Sequence, residues 1–345
     1  MKIPMSRFLP SSNRQIGSLT ASDIRDLRLF RQVADAGGIT AAVERFDLDK
    51  TALSRAVSAL EHRLDGTLCI RGPKGFALTA YGEQVYAATR GIEDALDTAR
   101  SHINMAHRSL QGEVRLGITD SCITNEEAKI SDAIEMFMQM APAVRLSVSI
   151  HPPDQVASAI ESRELHLGIV SSEHAGAAFE AEPIFAESFR LYCCPPEEDA
   201  PPHFERLTAR GYGVVLRRFR HAGPALSSRH IAAAWTVEAS GLEAVATLLN
   251  TGRCVGFLPD HYVTGTRTRR PFLVVPGSEH LRLWTIFSVI SEKGRMVSQA
   301  VAALRNTLID VAARTGTRAR AFDAMQPSPV PAGEATRRKP SSYGV

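Results

Sequence analysis

From Ser22 the apolar residues Ile24, Leu27, Phe30 and Ala34 recur at steps of three, three and four, the spacing of one face of an amphipathic helix, with Ser22 or Asp23 placed to cap it. Gly37 and Gly38 end that helix, and Thr40 stands where it can cap a short second one reaching Phe46. A tight "DLD" turn follows. Asp49 then caps a third helix, in which Leu53, Val57, Leu60 and Leu64 form the apolar stripe. The stretch "GTLCIRGPKGFALTAYGE" places glycines and a proline between two short apolar segments, the pattern of a small β-wing. Residues 22–81 therefore read as three helices with a helix-turn-helix and a wing.

Beyond Gly82 the pattern changes. Val85, Thr89, Ile92, Leu96, Ala99, Ile103, Ala106 and Leu110 alternate at steps of four and three, which predicts a linker helix over 82–111 with a coiled-coil seam for a second chain. Packing on its own domain is the alternative. After Gln111-Gly112 strands alternate with helices: strands at 114–118, 144–150 and 165–170, and helices at about 125–140 and 155–162. This βαβαβ run predicts a parallel sheet with helices on its faces. A second block begins near "FRLYCC" (189–194) and continues through "GVVLRR" (213–218), a helix near 241–251 and "CVGFLP" (254–259). "LWTIFSVI" (283–290) and a last helix at about 296–314 return to the first block. The fold class is thus mixed: a winged helix-turn-helix, a long helix, and two Rossmann-like α/β subdomains, the first at about 112–187 with 284–314 and the second at about 188–283. Residues 1–21 and 315–345 read as disordered extensions.

Composition narrows the function. In 345 residues, 44% hydrophobic, no run approaches the length of a membrane span. The basic N-terminus lacks an apolar segment of the kind that directs export, so a cytoplasmic location is expected. Cys69, Cys122, Cys193, Cys194 and Cys254 are scattered without a CxxC pair, and His102, His107, His166 and His174 lack ligand spacing, so neither a metal site nor a cofactor is expected. The net charge is only +3, yet residues 1–80 carry +4 and residues 312–345 another +4, leaving the middle at −5. A basic head on an acidic body fits a polyanion-binding module.

The third helix supplies the chemistry. Lys50 and Ser54, and Thr51 and Arg55, are each four apart, so all four donors share the exposed first turns of the helix. Such a helix reads base edges in the major groove with its N-terminal residues, while Arg71 and Lys74 in the wing face phosphates. Thr40, at the start of the second helix, completes the set of DNA contacts.

Residues 24–82 resemble the DNA-binding domain of the LysR-type transcriptional regulators. The likeness rests on "LRLFRQVADAGGITAAVERF", Leu53-Ser54-Arg55, Leu60-Glu61, Leu68 with Arg71, and Leu78-Thr79 with Gly82, in order and spacing. It extends over about residues 22–311, since the long helix and the two subdomains fall where that family has its linker and its periplasmic-binding-protein-like effector domain. The chain departs from the family at Asp49-Lys50, where Ser-Gln is usual, and at Phe46 and Cys69, where Leu and Phe are common. The resemblance implies a non-enzymatic regulator with these partners: double-stranded promoter DNA of roughly palindromic sequence, a small-molecule effector and a second copy of the chain. A tetramer through the effector domains and contact with RNA polymerase are further partners it allows.

In open parallel sheets ligands sit at the carboxyl ends of strands, near helix N-termini. That rule selects Thr119, Asp120 and Ser121, then His151, Ser171, Arg217, Glu238 and Ser240. Asp120 and Glu238 disfavour a plain dianion there unless Arg217 or Arg218 compensates. A thiol-sensing regulator built on Cys193-Cys194 is one alternative, although adjacent strand residues point to opposite faces. An enzyme on the two subdomains is another, but Asp120 and His151 lack a nucleophile or an orienting third group.

Overall fold

In the computed structural model the described residues are 17–72, 75–103, 110–120, 122–217 and 231–317. The head comprises α1 (Ala21–Ala36), α2 (Ile39–Phe46), α3 (Lys50–Arg63) and a wing of β1 (Cys69–Gly72) paired antiparallel with β2 (Gly75–Leu78). Its core is Leu27, Phe30, Val33, Ala42, Leu53, Val57, Leu60 and Leu68, all buried. Two caps differ from the sequence reading. Thr20, not Ser22 or Asp23, is the N-cap of α1, and Asp23 is its third helical residue; in a capping box Thr20 Oγ1 accepts from the Asp23 backbone N–H at 3.2 Å and the Asp23 carboxylate accepts from the Thr20 backbone N–H at 2.8 Å. The N-cap of α2 is Gly38, at φ +140°, so Thr40 lies exposed inside the helix and caps nothing. Asp49 does cap α3, its Oδ1 accepting from the Ala52 N–H at 2.7 Å.

α4 (Ala80–Ile103) leaves the wing with no slack. Thr79 Oγ1 donates to Thr67 O at 2.7 Å and accepts from Gly82 N–H at 2.8 Å, and a Cβ at Gly82 would lie 2.1 Å from Leu68 O. Glu61 Oε1 accepts from the Leu68 N–H at 2.8 Å, tying α3 to the wing. The predicted seam divides along α4. Val85 and Thr89 are buried in the chain and Ile92 packs on the head core, whereas Leu96, Ala99 and Ile103 are exposed. Leu110 packs against the first subdomain, beyond the end of the helix. Val85 is therefore withdrawn from any seam, because its side chain is buried in an intrachain core, while Ile92 and Leu110 are partly buried against intrachain cores; Ala106 lies outside the described residues.

The rest of the chain builds one sheet in the order β4-β3-β5-β11-β6-β9-β7-β8. On one side β3 (Gly112–Ile118) pairs parallel with β4 (Val144–Ile150) and β5 (Leu167–Ser171); on the other β7 (Gly213–Arg217) pairs parallel with β8 (Trp235–Ala239) and β9 (Cys254–Pro259). The two blocks are joined by long antiparallel strands, β6 (Phe179–Cys193) and β11 (Leu283–Glu292). The short β10 (Leu273–Val274) adds to β6. α5 (Ile130–Met140) and α9 (Gln299–Arg314) cover one face of the first block and α6 (Pro153–Glu161) the other, while α7 (Leu242–Asn250) and α8 (Asp260–Gly265) cover the second block. Because both faces are covered, β5 and β9 are buried along their whole length. The predicted helix at 125–140 begins only at Ile130, since Asn125 Oδ1 holds a turn by accepting from Ala128 N–H and Lys129 takes φ +53°.

A buried charge cluster fastens α4 to the first subdomain. Asp94 of α4 meets Arg115 Nη2 at 3.2 Å, His166 Nε2 at 3.1 Å and Arg295 Nη2. The Arg115 backbone N–H donates to His166 Nδ1 at 3.0 Å, so the ring proton sits on Nε2 and points at Asp94. Burial lowers the His166 pKa, with Arg115 and Arg295 acting in the same direction and Asp94 opposing. Burial raises the Asp94 carboxyl, but His166, Arg115 and Arg295 together bring it below the usual range. A neutral folded imidazole means that only the unfolded chain takes up this proton near pH 6.5, so stability falls as the pH drops below that point. Urea midpoints measured from pH 7.5 to about 5.5 are expected to decline more steeply for the parent than for His166→Gln; parallel curves would mean that His166 is charged in the fold.

Candidate functional site

Two places carry chemistry. The first is the start of α3. Lys50, Thr51 and Arg55 are exposed and Ser54 is half-buried, while Leu53, Ala56, Val57 and Leu60 on the reverse face anchor the helix. Among the described residues none of these four side chains has a hydrogen bond or ion pair. The first turn contains no acidic residue. A lysine at the positive end of the helix dipole opposes helix stability, but the Asp49 carboxylate that caps this end offsets it and leaves the Lys50 ammonium unpaired among the described residues. Lys74 and the Arg71 side chain lie outside the described residues.

The second is the gap between the two blocks of the sheet. Asp120 follows β3, and its Oδ2 accepts the Leu242 N–H at the N-terminus of α7, 2.7 Å away and from the opposite subdomain. Gly241, the N-cap of α7, has no side chain to offer and sits at φ +84°, so the carboxylate that caps this helix comes from across the gap. Arg217, at the end of β7, places Nη2 3.9 Å from the same Oδ2. Its Nε is sealed from solvent without a partner among the described residues. Burial pulls the Arg217 pKa down to about 10, against the pull of Asp120 and Glu187.

The structure brings Asp120, Arg217 and the start of α7 together. Thr119 is buried beside them, its N–H on Ile169 O. His151 bonds to Ser149 Oγ at 2.7 Å and Ser171 Oγ to His174 Nδ1 at 2.7 Å, both within the first subdomain. Glu238 and Ser240 are exposed, and Ser121 lies outside the described residues. Sequence reasoning missed Glu187, which is 5% exposed in the middle of β6. Asn125 Nδ2 donates to its Oε1 at 3.2 Å, and His261 Nε2 lies 3.0 Å from the same oxygen but off the line of a hydrogen bond. Thr124 Oγ1 meets the other ring nitrogen at 2.9 Å. A lone carboxylate between Phe185 and Phe189 was the available signal.

Comparison with known proteins decides the family. Residues 24–83 match the family model "Bacterial regulatory helix-turn-helix protein, lysR family", and residues 107–313 match "LysR substrate binding domain". The HTH-type transcriptional activator BauR of Pseudomonas aeruginosa is 30% identical over 291 residues, covering 83% of this chain and 94% of that protein. The chain is a LysR-type transcriptional regulator. Solved full-length regulators share its fold: an OxyR variant from Pseudomonas aeruginosa (TM-score 0.58, 19% identity, 85% of this chain and 95% of that one), and CbnR in complex with its target DNA (TM-score 0.55, 18% identity, 84% and 99%). The matched families and relatives are regulators rather than enzymes. Among the described residues no helix is long and apolar enough to cross a membrane.

In this LysR-type regulator all five thiols are buried and unbridged. Cys193 packs in one core cluster of the second subdomain and Cys194 in another, on opposite faces of β6. Burial pushes the Cys193 thiol up to about 12 and raises that of Cys194, which leaves little thiolate at neutral pH. DNA binding by the Cys193→Ser/Cys194→Ser double variant is expected to respond to hydrogen peroxide no differently from the parent in a gel-shift titration. A peroxide response that only the parent shows would place a thiol switch at this pair.

Proposed function

We propose that this regulator works as a homodimer that binds a roughly palindromic promoter site, and that a small molecule in the cleft between its subdomains alters that binding. In functional terms, residues 22–81 form the reading head, 82–111 the linker and 112–314 the sensing domain, acting in the cytoplasm. The single observation that carries the reading is the set of donors on α3, Lys50, Thr51, Ser54 and Arg55, unpartnered on a rigid face at a positive helix end. Arg55 and Lys50 are suited to guanine N7 and O6, and Thr51 and Ser54 to bases or phosphates. Lys50, where relatives usually carry glutamine, is the position that sets this regulator's own sequence preference. A tetramer through the sensing domains and contact with RNA polymerase extend the same reading.

Arg55→Ala is expected to weaken binding to a fragment of the gene's own upstream region by ~1–3 kcal/mol at fixed salt. Unchanged affinity in a gel shift would remove α3 from the reading face. The dimer is supported by Leu96, Ala99 and Ile103, which α4 leaves exposed, Ile103 at 79%. Leu96→Glu combined with Ile103→Glu is expected to yield a folded monomer by analytical ultracentrifugation, because neither side chain contributes to an intrachain core. A dimer that survives both changes would place the interface elsewhere.

A further inference from the structure

The cleft holds an anion site that the protein fills with its own side chain. The first N–H of α7 is bonded by Asp120 Oδ2 at 2.7 Å, a partner 122 residues away in sequence. Helices are normally capped by the residue just before them, but Gly241 cannot do so and Ser240 is exposed. Beside this bond stands Arg217, whose five donors are met among the described residues by one carboxylate oxygen at 3.9 Å, the outer limit of an ion pair, and whose buried Nε has nothing. Among the described residues this buried guanidinium has no acceptor at hydrogen-bond distance. Asp120 holds the helix end without satisfying the arginine.

Glu187, buried nearby, already has partners: Asn125 Nδ2 donates to it at 3.2 Å and His261 Nε2 lies 3.0 Å away. Its charge adds to that of Asp120 in holding Arg217 protonated against burial. Asp120 alone serves both the guanidinium and the helix N-terminus. A dianion entering here would meet both carboxylates, and a simple amine would leave Arg217 as it stands. A molecule with one carboxylate and one ammonium supplies the acceptor Arg217 lacks among the described residues and a partner for the Asp120 it displaces.

Resting on the reading of this cleft as a sensing site, we propose that its ligand is an amino-carboxylate whose carboxylate takes the place of Asp120 at the start of α7 beside Arg217, while the displaced Asp120 receives the ammonium. Asp120 is then a tethered competitor. It bridges the two subdomains in the free protein and exchanges that bridge for a contact through the ligand. Selectivity follows from the displacement, because a ligand without an ammonium turns Asp120 out with no partner for it.

The test uses the full-length chain and thermal-shift and calorimetric titrations with straight-chain amino-carboxylates of two to five carbons, the monocarboxylates and monoamines of matched length, and succinate and glutarate. At least one amino-carboxylate is expected to raise the melting temperature, and its matched acid and amine to bind at least about tenfold more weakly, the scale of one charge-assisted hydrogen bond. In Asp120→Asn the order inverts: the plain acid gains and the amino-carboxylate loses affinity. Arg217→Lys keeps the charge and the fold but lacks the planar fork, and it is expected to weaken both ligands. The proposal is overturned if no amino-carboxylate shifts the melting temperature, if succinate, glutarate or an amine alone binds as well, or if Asp120→Asn leaves the order unchanged. Binding of a dicarboxylate that Arg217→Lys abolishes would overturn the ligand class while leaving the sensing cleft in place. An amino-carboxylate effect that survives Arg217→Lys and Asp120→Asn alike would remove the cleft as its site.

Discussion

The antiparallel pairing of β6 with β11 holds the sensing domain together. These two strands run through both blocks of the sheet, and each block owes its third dimension to helices packed on strands that they border. Midway along the pair, where Phe287 stands opposite Phe185 with rings stacked 4.9 Å apart, the register slips between Phe287 and Ser288. A bulge at that point bends the bulged strand and increases its local twist. Glu187 lies two residues past Phe185 on the same strand, so the element that joins the subdomains also delivers a charge to the gap between them.

The same strands lead out of the cleft toward the DNA-binding end. β11 finishes at Glu292, and Arg295 just beyond it bonds both Glu292 and Asp94 of the linker helix. Asp94 also meets Arg115 of β3, the strand that carries Asp120 at its other end. Arg115 in the middle of β3 and Arg295 just past β11 therefore meet on one carboxylate of α4. That cluster joins the linker helix to the first subdomain through packed charge that is costly to separate, since each partner would be left poorly solvated and unpaired.

The head was readable from sequence because its signals are local. Asp49 caps the helix it precedes, and the stripe of Leu53, Val57 and Leu60 is a single helical face. The errors there concern one-residue choices between neighbouring hydroxyls, as with Thr20 against Ser22, or a glycine taking a cap position that Thr40 was expected to hold. In the sensing domain the strands and helices were legible but the crossing was not. β6 starts at Phe179, ten residues before the apolar run that announces it, because its first half borders the surface while its second half is buried. The coupled site was the least legible part. Asp120, Glu187, Arg217 and His261 come from four separate segments, and no periodicity links them; only the topology of the sheet brings them within reach of one another.

The close seat of Gly82 under Leu68 O makes the wing and the linker helix one rigid piece, and mechanically that piece is a lever. At 24 residues α4 is about 36 Å long. Its fulcrum is the Asp94 cluster and its load is the reading head. Asp94 lies about 21 Å from Ala80 along the helix, so a tilt of about 5° at the fulcrum moves the head end by roughly 2 Å, more than half the ~3.4 Å rise of one base pair. Any tilt at the Asp94 cluster would thus arrive at the head enlarged in proportion to that arm.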